Sequence, residues 1–243
     1  MQNAGTAVGM QGRGVMLTDA AFGHGWPEHG SGRSARKDVT FDAPLSSIEL
    51  MGALMSFSRN AEVYGESEPA DYLYKVVSGT VRTYKILLDG RRQIGAFYLP
   101  GDIFGLEVGE QHALSAEAVT LSKILVIKRA AVVSLAGRDI ETAHQLWTFT
   151  ARELRRVQNH LLLLNKTAPE RVASFLLEMA ERAEAKGELE LAMSRQDIAD
   201  YLGLTIETVS RMLTQFENAS AIALPTPKRI VLLNRTVLKR LVA

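Results

Sequence analysis

The chain has 243 residues, 28 Lys and Arg against 27 Asp and Glu, a net charge of +1, and no cysteine. That length suffices for two modest domains with sizeable cores, while the balanced charge excludes a globally basic nucleic-acid coat, so any DNA affinity must come from local placement of Arg and Lys. The lack of cysteine excludes disulfides, thiolate zinc sites and a cysteine-held iron–sulfur cluster.

Residues 1–43 are rich in Gly, Ser and His and keep neither a helical nor a strand period, so they are expected to form a flexible arm. His24 and His29 in GHGWPEHG have no partner ligands nearby in sequence and are not assigned to a metal. No basic region followed by an apolar core opens the chain. Nor does any apolar run approach the roughly 20 residues of a membrane span, so a cytoplasmic location is expected.

Residues 44–136 change character. A short helical stretch is expected over Leu45–Phe57. Brief runs rich in Val, Tyr, Ile and Phe then follow, punctuated by Gly65, Gly79, Gly90, Gly101 and Gly105, a spacing that indicates an all-β roll. Asp89-Gly90 marks a hairpin and Pro100-Gly101-Asp102 a second reversal.

Over residues 137–166 the pattern becomes one long helix. Ile140, Trp147, Leu154 and Leu161 repeat every seven residues, and Ala143, Thr150, Val157 and Leu164 form a second seam. Two such seams favour a coiled coil with another copy of the chain. Leu146, Phe149, Leu162 and Leu163 are expected to pack on the helix's own domain.

Residues 167–243 carry the decisive motif. A helix is expected from about Pro169 to Ala185, stopped by Lys186-Gly187. In MSRQDIADYLGLTIETVSRMLTQF, Met193 to Phe216, the residues Ile198, Leu202, Leu204, Val209 and Met212 can share one side only if two helices meet near Gly203. Glycine suits that turn because it enters positive φ without steric cost. Ala199 is small enough for a close crossing, and Ser194 and Thr205 fit as N-caps. The second helix then exposes Ile206, Glu207, Ser210, Arg211 and Thr214. Arg can pair bidentately with guanine, Glu accepts from cytosine N4, and Ser adapts to either base type. Ile222–Leu233 reads as two short strands around a Pro-containing turn with Lys228 and Arg229, a wing beside the recognition helix.

SRQDIADYLGLTIETVSRML resembles the DNA-binding motif of the family that includes the cyclic AMP receptor protein and the fumarate and nitrate reduction regulator (CRP/FNR), and the resemblance runs from about Pro44 to the C-terminus. It implies an α+β chain: an N-terminal β-roll of the cyclic-nucleotide-binding, jelly-roll type, a long dimerisation helix, and a C-terminal winged helix-turn-helix. The pattern Glu207, Ser210, Arg211 resembles the FixK-like branch, whose half-site is TTGAT-like. The resemblance assigns base reading to Ile206, Glu207, Ser210 and Arg211, and phosphate contact to Ser194, Arg195, Gln196, Thr205 and Thr208. Lys228 on the wing suits phosphate contact too. The seam residues Ile140, Trp147, Thr150, Leu154, Val157, Leu161 and Leu164 are expected at the homodimer interface, so that two recognition helices reach successive major grooves about 34 Å apart on palindromic DNA. By the same resemblance RNA polymerase is a further partner, and genes of low-oxygen respiration or nitrogen fixation are the expected targets, with activation the expected sense.

In the family's nucleotide-binding roll an acid follows a Gly to hold the ribose, and an Arg-Ser pair holds the cyclic phosphate. This chain departs from that pattern: Leu106 follows Gly105, and Leu114 precedes Ser115. A buried cyclic phosphate would lack its charge partner. No cyclic nucleotide, metal or other cofactor is therefore expected; a regulator gated by a small molecule in the roll is the alternative. A metal-dependent enzyme on a cupin-like roll would need clustered ligands. His112 is the roll's only histidine and His144 and His160 lie on the long helix, so no enzyme is expected.

Overall fold

The computed structural model describes Ile48, residues 51–185 and residues 187–242. The expected arm, with His24 and His29, lies outside the described residues, as does Lys186.

The N-terminal part is built from eight strands: β1 (Gly52–Phe57), β2 (Glu62–Tyr64), β3 (Tyr72–Ser78), β4 (Val81–Ile86), β5 (Arg92–Tyr98), β6 (Ile103–Phe104), β7 (Ser115–Ala118) and β8 (Ser122–Lys128). They form two four-stranded antiparallel sheets, ordered β1-β8-β3-β6 and β2-β7-β4-β5. Tyr64, Tyr74, Val76, Val81, Ala96, Tyr98, Phe104, Ala116 and Ile124 fill the space between the sheets, as the period-2 alternation of their strands requires. Asp89-Gly90 does turn β4 into β5, with the Arg91 N–H donating to Asp89 Oδ1 at 3.1 Å.

One expectation fails here. Ile48 is helical and buried, but Gly52–Phe57 is strand β1, in register with β8 from Gly52 opposite Ile127 to Phe57 opposite Ser122. A Cβ on Gly52 would lie 2.5 Å from Leu125 Cγ, so only glycine lets the strands close. As an edge strand, β1 leaves Leu54 and Met55 exposed, and that erases the polar alternation that would have revealed it.

Helix α1 (Arg129–Ala136) leads into α2 (Ile140–Leu164), which starts where the Asp139 side chain accepts from the Thr142 N–H. Leu146 and Phe149 of α2 pack with Leu73 and Ile127 on the outer face of the first sheet, and Leu163 is buried in the C-terminal core. Leu162, expected to pack inward, is instead 66% exposed. At about 100° per residue it falls on the side of α2 that carries Ile140 and Trp147, opposite Leu146 and Phe149.

The C-terminal module contains α3 (Ala168–Arg182), β9 (Glu188–Glu190), α4 (Arg195–Leu202), α5 (Ile206–Asn218), β10 (Ile222–Ala223), β11 (Arg229–Leu232) and α6 (Arg235–Val242). Helix α3 opens on a capping box in which Thr167 and Glu170 satisfy each other's backbone N–H groups. It ends at Arg182, earlier than expected, because Glu184 takes a positive φ of 48°. The wing strands pair as expected, Ile222 opposite Leu232. Strand β9 adds a third strand to that sheet, and α6 buries Leu238.

Ile94 and Phe97 of β5 belong to the same buried cluster as Phe175, Leu176, Tyr201 and Val209. Phe97 meets Phe175 and Tyr201 at ring-centroid distances of 6.3 and 5.3 Å. Burying a side chain of that size is worth roughly 1.5–3 kcal/mol, so apolar contact contributes substantially to holding the module against the roll. His160 of α2 stacks on Tyr201 at 4.2 Å, and burial holds its pKa below the ordinary 6.5. The fold therefore favours the neutral form of this ring. An unfolded chain protonates it first, so its contribution is complete above 6.5 and is lost as pH falls through the lowered folded value. Melting temperatures at about pH 7.5 and about pH 5.5 should fall further for the wild type than for His160→Gln. Equal falls would contradict this role.

Candidate nucleic-acid interface

Helices α4 and α5 owe their geometry to a few residues. The Ser194 side chain accepts from the Asp197 N–H while Asp197 Oδ2 accepts from the Ser194 N–H at 3.0 Å, a reciprocal cap on α4. Gly203 ends that helix in the left-handed conformation, φ 62°. Thr205 caps α5 by accepting from the Thr208 N–H at 3.2 Å. Ala199 is fully buried, and Ile198, Leu202, Val209, Met212, Leu213 and Phe216 form the frame around it; Leu204 is half-buried.

The opposite face of α5 carries Ile206, Glu207, Arg211 and Thr214, all exposed, with Ser210 half-buried. Hydrogen bonds from its own backbone N–H and from the Thr205 hydroxyl hold the Glu207 carboxyl below its usual range, so it stands ionised as a pure acceptor. Glu207 and Arg211 are four residues apart and could neutralise each other as an ordinary helix-surface pair. They do not: among the described residues neither has an ion-pair partner.

The residues expected at phosphates gather at the N-termini of α4 and α5, where unpaired N–H groups and the helix dipole favour anions. Arg195 is half-buried, and Gln196 Nε2 donates to Asp200 Oδ1 at 2.6 Å. The Thr205 and Thr208 hydroxyls lie 3.2 Å apart. Lys228, exposed before β11, donates to the Ala192 carbonyl at 3.4 Å. Its neighbour Arg229 is tied to Glu188 across the wing sheet.

Several residues that contact the motif gave no sign in the sequence. Arg82 of β4 donates to Asp197 Oδ1 at 2.9 Å and to Glu117 Oε1 at 3.0 Å. Arg92 of β5 reaches Asp197 Oδ1 at 2.5 Å and Asp200 Oδ2 at 2.8 Å, and Gln93 Nε2 donates to the Asp200 carbonyl at 2.8 Å. Burial pushes the Asp197 carboxyl up, but the Ser194 N–H and the two guanidiniums outweigh it and hold it below the usual range. Arg171 of α3 donates to the Leu164 and Lys166 carbonyls at the end of α2, at 2.6 and 2.8 Å, and to the Leu202 carbonyl at the end of α4, at 2.8 Å. The arginine partners on α4 lie 31 to 115 residues away in the chain, so no local pattern marks them.

Side chains occupy the inside of the roll. Tyr64 stacks on buried His112 at 3.6 Å, and Phe104 stacks on Tyr74 and Tyr98 at 5.1 and 4.9 Å. Leu114 lies so close to Gly95 that a Cβ there would be 3.0 Å from Leu114 Cδ1. The Ser115 hydroxyl accepts from the Glu66 N–H at 2.9 Å. Tyr98 donates to Glu153 of α2 at 2.9 Å, linking roll and helix directly.

On α2, Ile140, Trp147, Leu154, Val157 and Leu161 are exposed, Ile140 and Trp147 by 88% and 74%. Thr150 is exposed beside them, and Ala143 and Leu164 are half-buried. They form an apolar stripe facing away from the roll.

Residues 170–241 match the Crp-like helix-turn-helix domain, and residues 54–139 the cyclic nucleotide-binding domain. The chain is 47% identical over 222 residues to the nitrogen fixation regulation protein FixK of Azorhizobium caulinodans, covering 89% of this chain and 88% of that protein. It is 38% identical over 200 residues to the protein of the same name from Rhizobium meliloti, covering 82% and 90%. Among solved structures, FixK2 from Bradyrhizobium japonicum superposes with a TM-score of 0.76 at 51% identity, covering 79% of this chain and 98% of that one.

Proposed function

The chain belongs to the CRP/FNR family of transcription regulators, in its FixK-like branch, and we propose that it acts as a cytoplasmic homodimer reading a TTGAT-like inverted repeat with no cyclic nucleotide or iron–sulfur effector. It is a DNA-binding regulator and not an enzyme. The observation that carries the proposal is the exposed face of α5, where ionised Glu207 and Arg211 stand four residues apart without neutralising each other. A carboxylate and a guanidinium fork without ion-pair partners among the described residues, on a capped helix, suit base edges in a major groove. Ile206 and Ser210 complete that face. Ser194, Arg195, Gln196, Thr205, Thr208 and Lys228 set its register through phosphates.

The stripe from Ile140 to Leu164 supports pairing with a second copy, because an apolar face of that length on a long helix is ordinarily covered. The filled interior of the roll supports independence from cyclic nucleotides: aromatic rings and His112 occupy it, and Leu114 offers no charge to a phosphate. The names of the FixK relatives support nitrogen-fixation genes as targets, with contact to RNA polymerase and activation following the family analogy.

Selection from a random duplex library without added nucleotide tests the reading. It should recover inverted TTGAT-like half-sites about one helical turn apart; recovery of single asymmetric sites would contradict it. Calorimetric titration with cyclic AMP should give no saturable heat. A saturable signal would reinstate a ligand-gated roll.

A further inference from the structure

We propose that Arg82, Arg92 and Arg171 are positioning residues that hold the helix-turn-helix at both ends, and so set the half-site spacing the dimer accepts. The inference rests on the dimeric, palindrome-reading function argued above. At the start of α4, Asp197 Oδ1 receives both roll arginines, at 2.9 and 2.5 Å, and Arg92 closes on Asp200 as well. At the end of α4, Arg171 bridges the Leu202 carbonyl to the Leu164 and Lys166 carbonyls, and so to the terminus of the seam helix α2. One tether runs to the roll and the other to the dimer axis.

Apolar contact between Phe97, Phe175 and Tyr201 holds the module in place but is non-directional, whereas charged hydrogen bonds to fixed forks and carbonyls are not. Together with Arg182 of α3, which donates to the Phe97 carbonyl at 2.8 Å and to Asp102 Oδ2 at 2.5 Å, the tethers therefore decide orientation. They also leave the reading face uncovered: Glu207, Arg211 and Thr214 remain exposed while Asp197 and Asp200 are engaged. Residues 205–208 share a cleft with Leu87 and Arg91 of the roll but keep Glu207 open to solvent, and on that ground the network is assigned an orienting role.

The test uses the full-length protein and duplexes whose two half-sites are moved one or two base pairs closer together or further apart. The wild type should bind its best spacing about a hundredfold more tightly than spacings altered by two base pairs, because a fixed geometry forbids simultaneous engagement of the wrong repeat. Arg92→Ala and Arg171→Ala should compress that preference to about fivefold while the melting transition stays cooperative. Arg92→Lys keeps the charge but loses the fork that reaches two carboxylates, and should fall between. Asp200→Asn, which leaves Asp197 with Arg82, serves if Arg92→Ala does not fold. Folded variants that keep the wild-type spacing preference overturn the proposal. So do variants that bind the best spacing more tightly, since the network would then be a brake. A wild type indifferent to spacing sinks the dimer reading, and this proposal with it.

Discussion

Leu154→Asp should abolish tight binding to the palindrome while leaving the protomer folded. Leu154 is 57% exposed on α2, in line with Ile140, Trp147 and Leu161 on the side turned away from the roll. The single chain gains nothing by keeping it apolar, so the substitution should not disturb the cores of roll or C-terminal module. In a paired helix the same position lies in the seam, and each copy would contribute a carboxylate with no partner. Breaking complementarity in this way costs on the order of 3–5 kcal/mol for a buried charge, more than a coiled-coil seam of this length can absorb. Two linked recognition helices become two independent ones, and affinity for the inverted repeat should drop by about a thousandfold, toward non-specific binding. Sedimentation should show a monomer with an unchanged melting profile. A stable dimer in this variant would place the interface elsewhere.

Glu207→Ala should weaken binding to the preferred half-site by roughly 1–3 kcal/mol and relax discrimination at the base it reads, with little change on scrambled DNA. The cap of α5 survives, because Thr205 still accepts from the Thr208 N–H. Lys228→Ala provides the contrast: without that cation at a phosphate, affinity falls on every sequence alike and the salt slope drops by about one. Should Glu207→Ala keep both its affinity and its base preference, the readout assignment to α5 is wrong.

The reading motif was legible in the sequence because each of its parts answers a local requirement. Ser194 and Thr205 satisfy orphan N–H groups, Gly203 supplies a positive φ, and Ala199 allows a close crossing, all within 12 residues of chain. The roll was legible as a class through its turns and β-rich runs. Its first strand was not, since an edge strand with Leu54 and Met55 exposed shows the apolar spacing of a helix. Leu162 was misplaced for a related reason: in a run of four leucines, Leu161 to Leu164, residue type carries no information about which face each takes. The tethers were invisible because they are long-range. Arg82 and Asp197 are 115 residues apart, and arginines on roll strands read as solvated charges until the fold brings α4 against them. Arg171 likewise looks like a surface charge of α3, although its guanidinium ends on backbone carbonyls of two other helices.

The central claim is ligand-free, sequence-specific recognition by a dimer. Fluorescence anisotropy tests it most directly, on a duplex carrying TTGAT and its inverted repeat against one with both half-sites scrambled, at near-physiological salt and with no added ligand. Tight binding to the first duplex alone is the expected result. Weak and equal binding to both, rescued by a nucleotide, would contradict the account and make the roll a sensor despite its missing arginine.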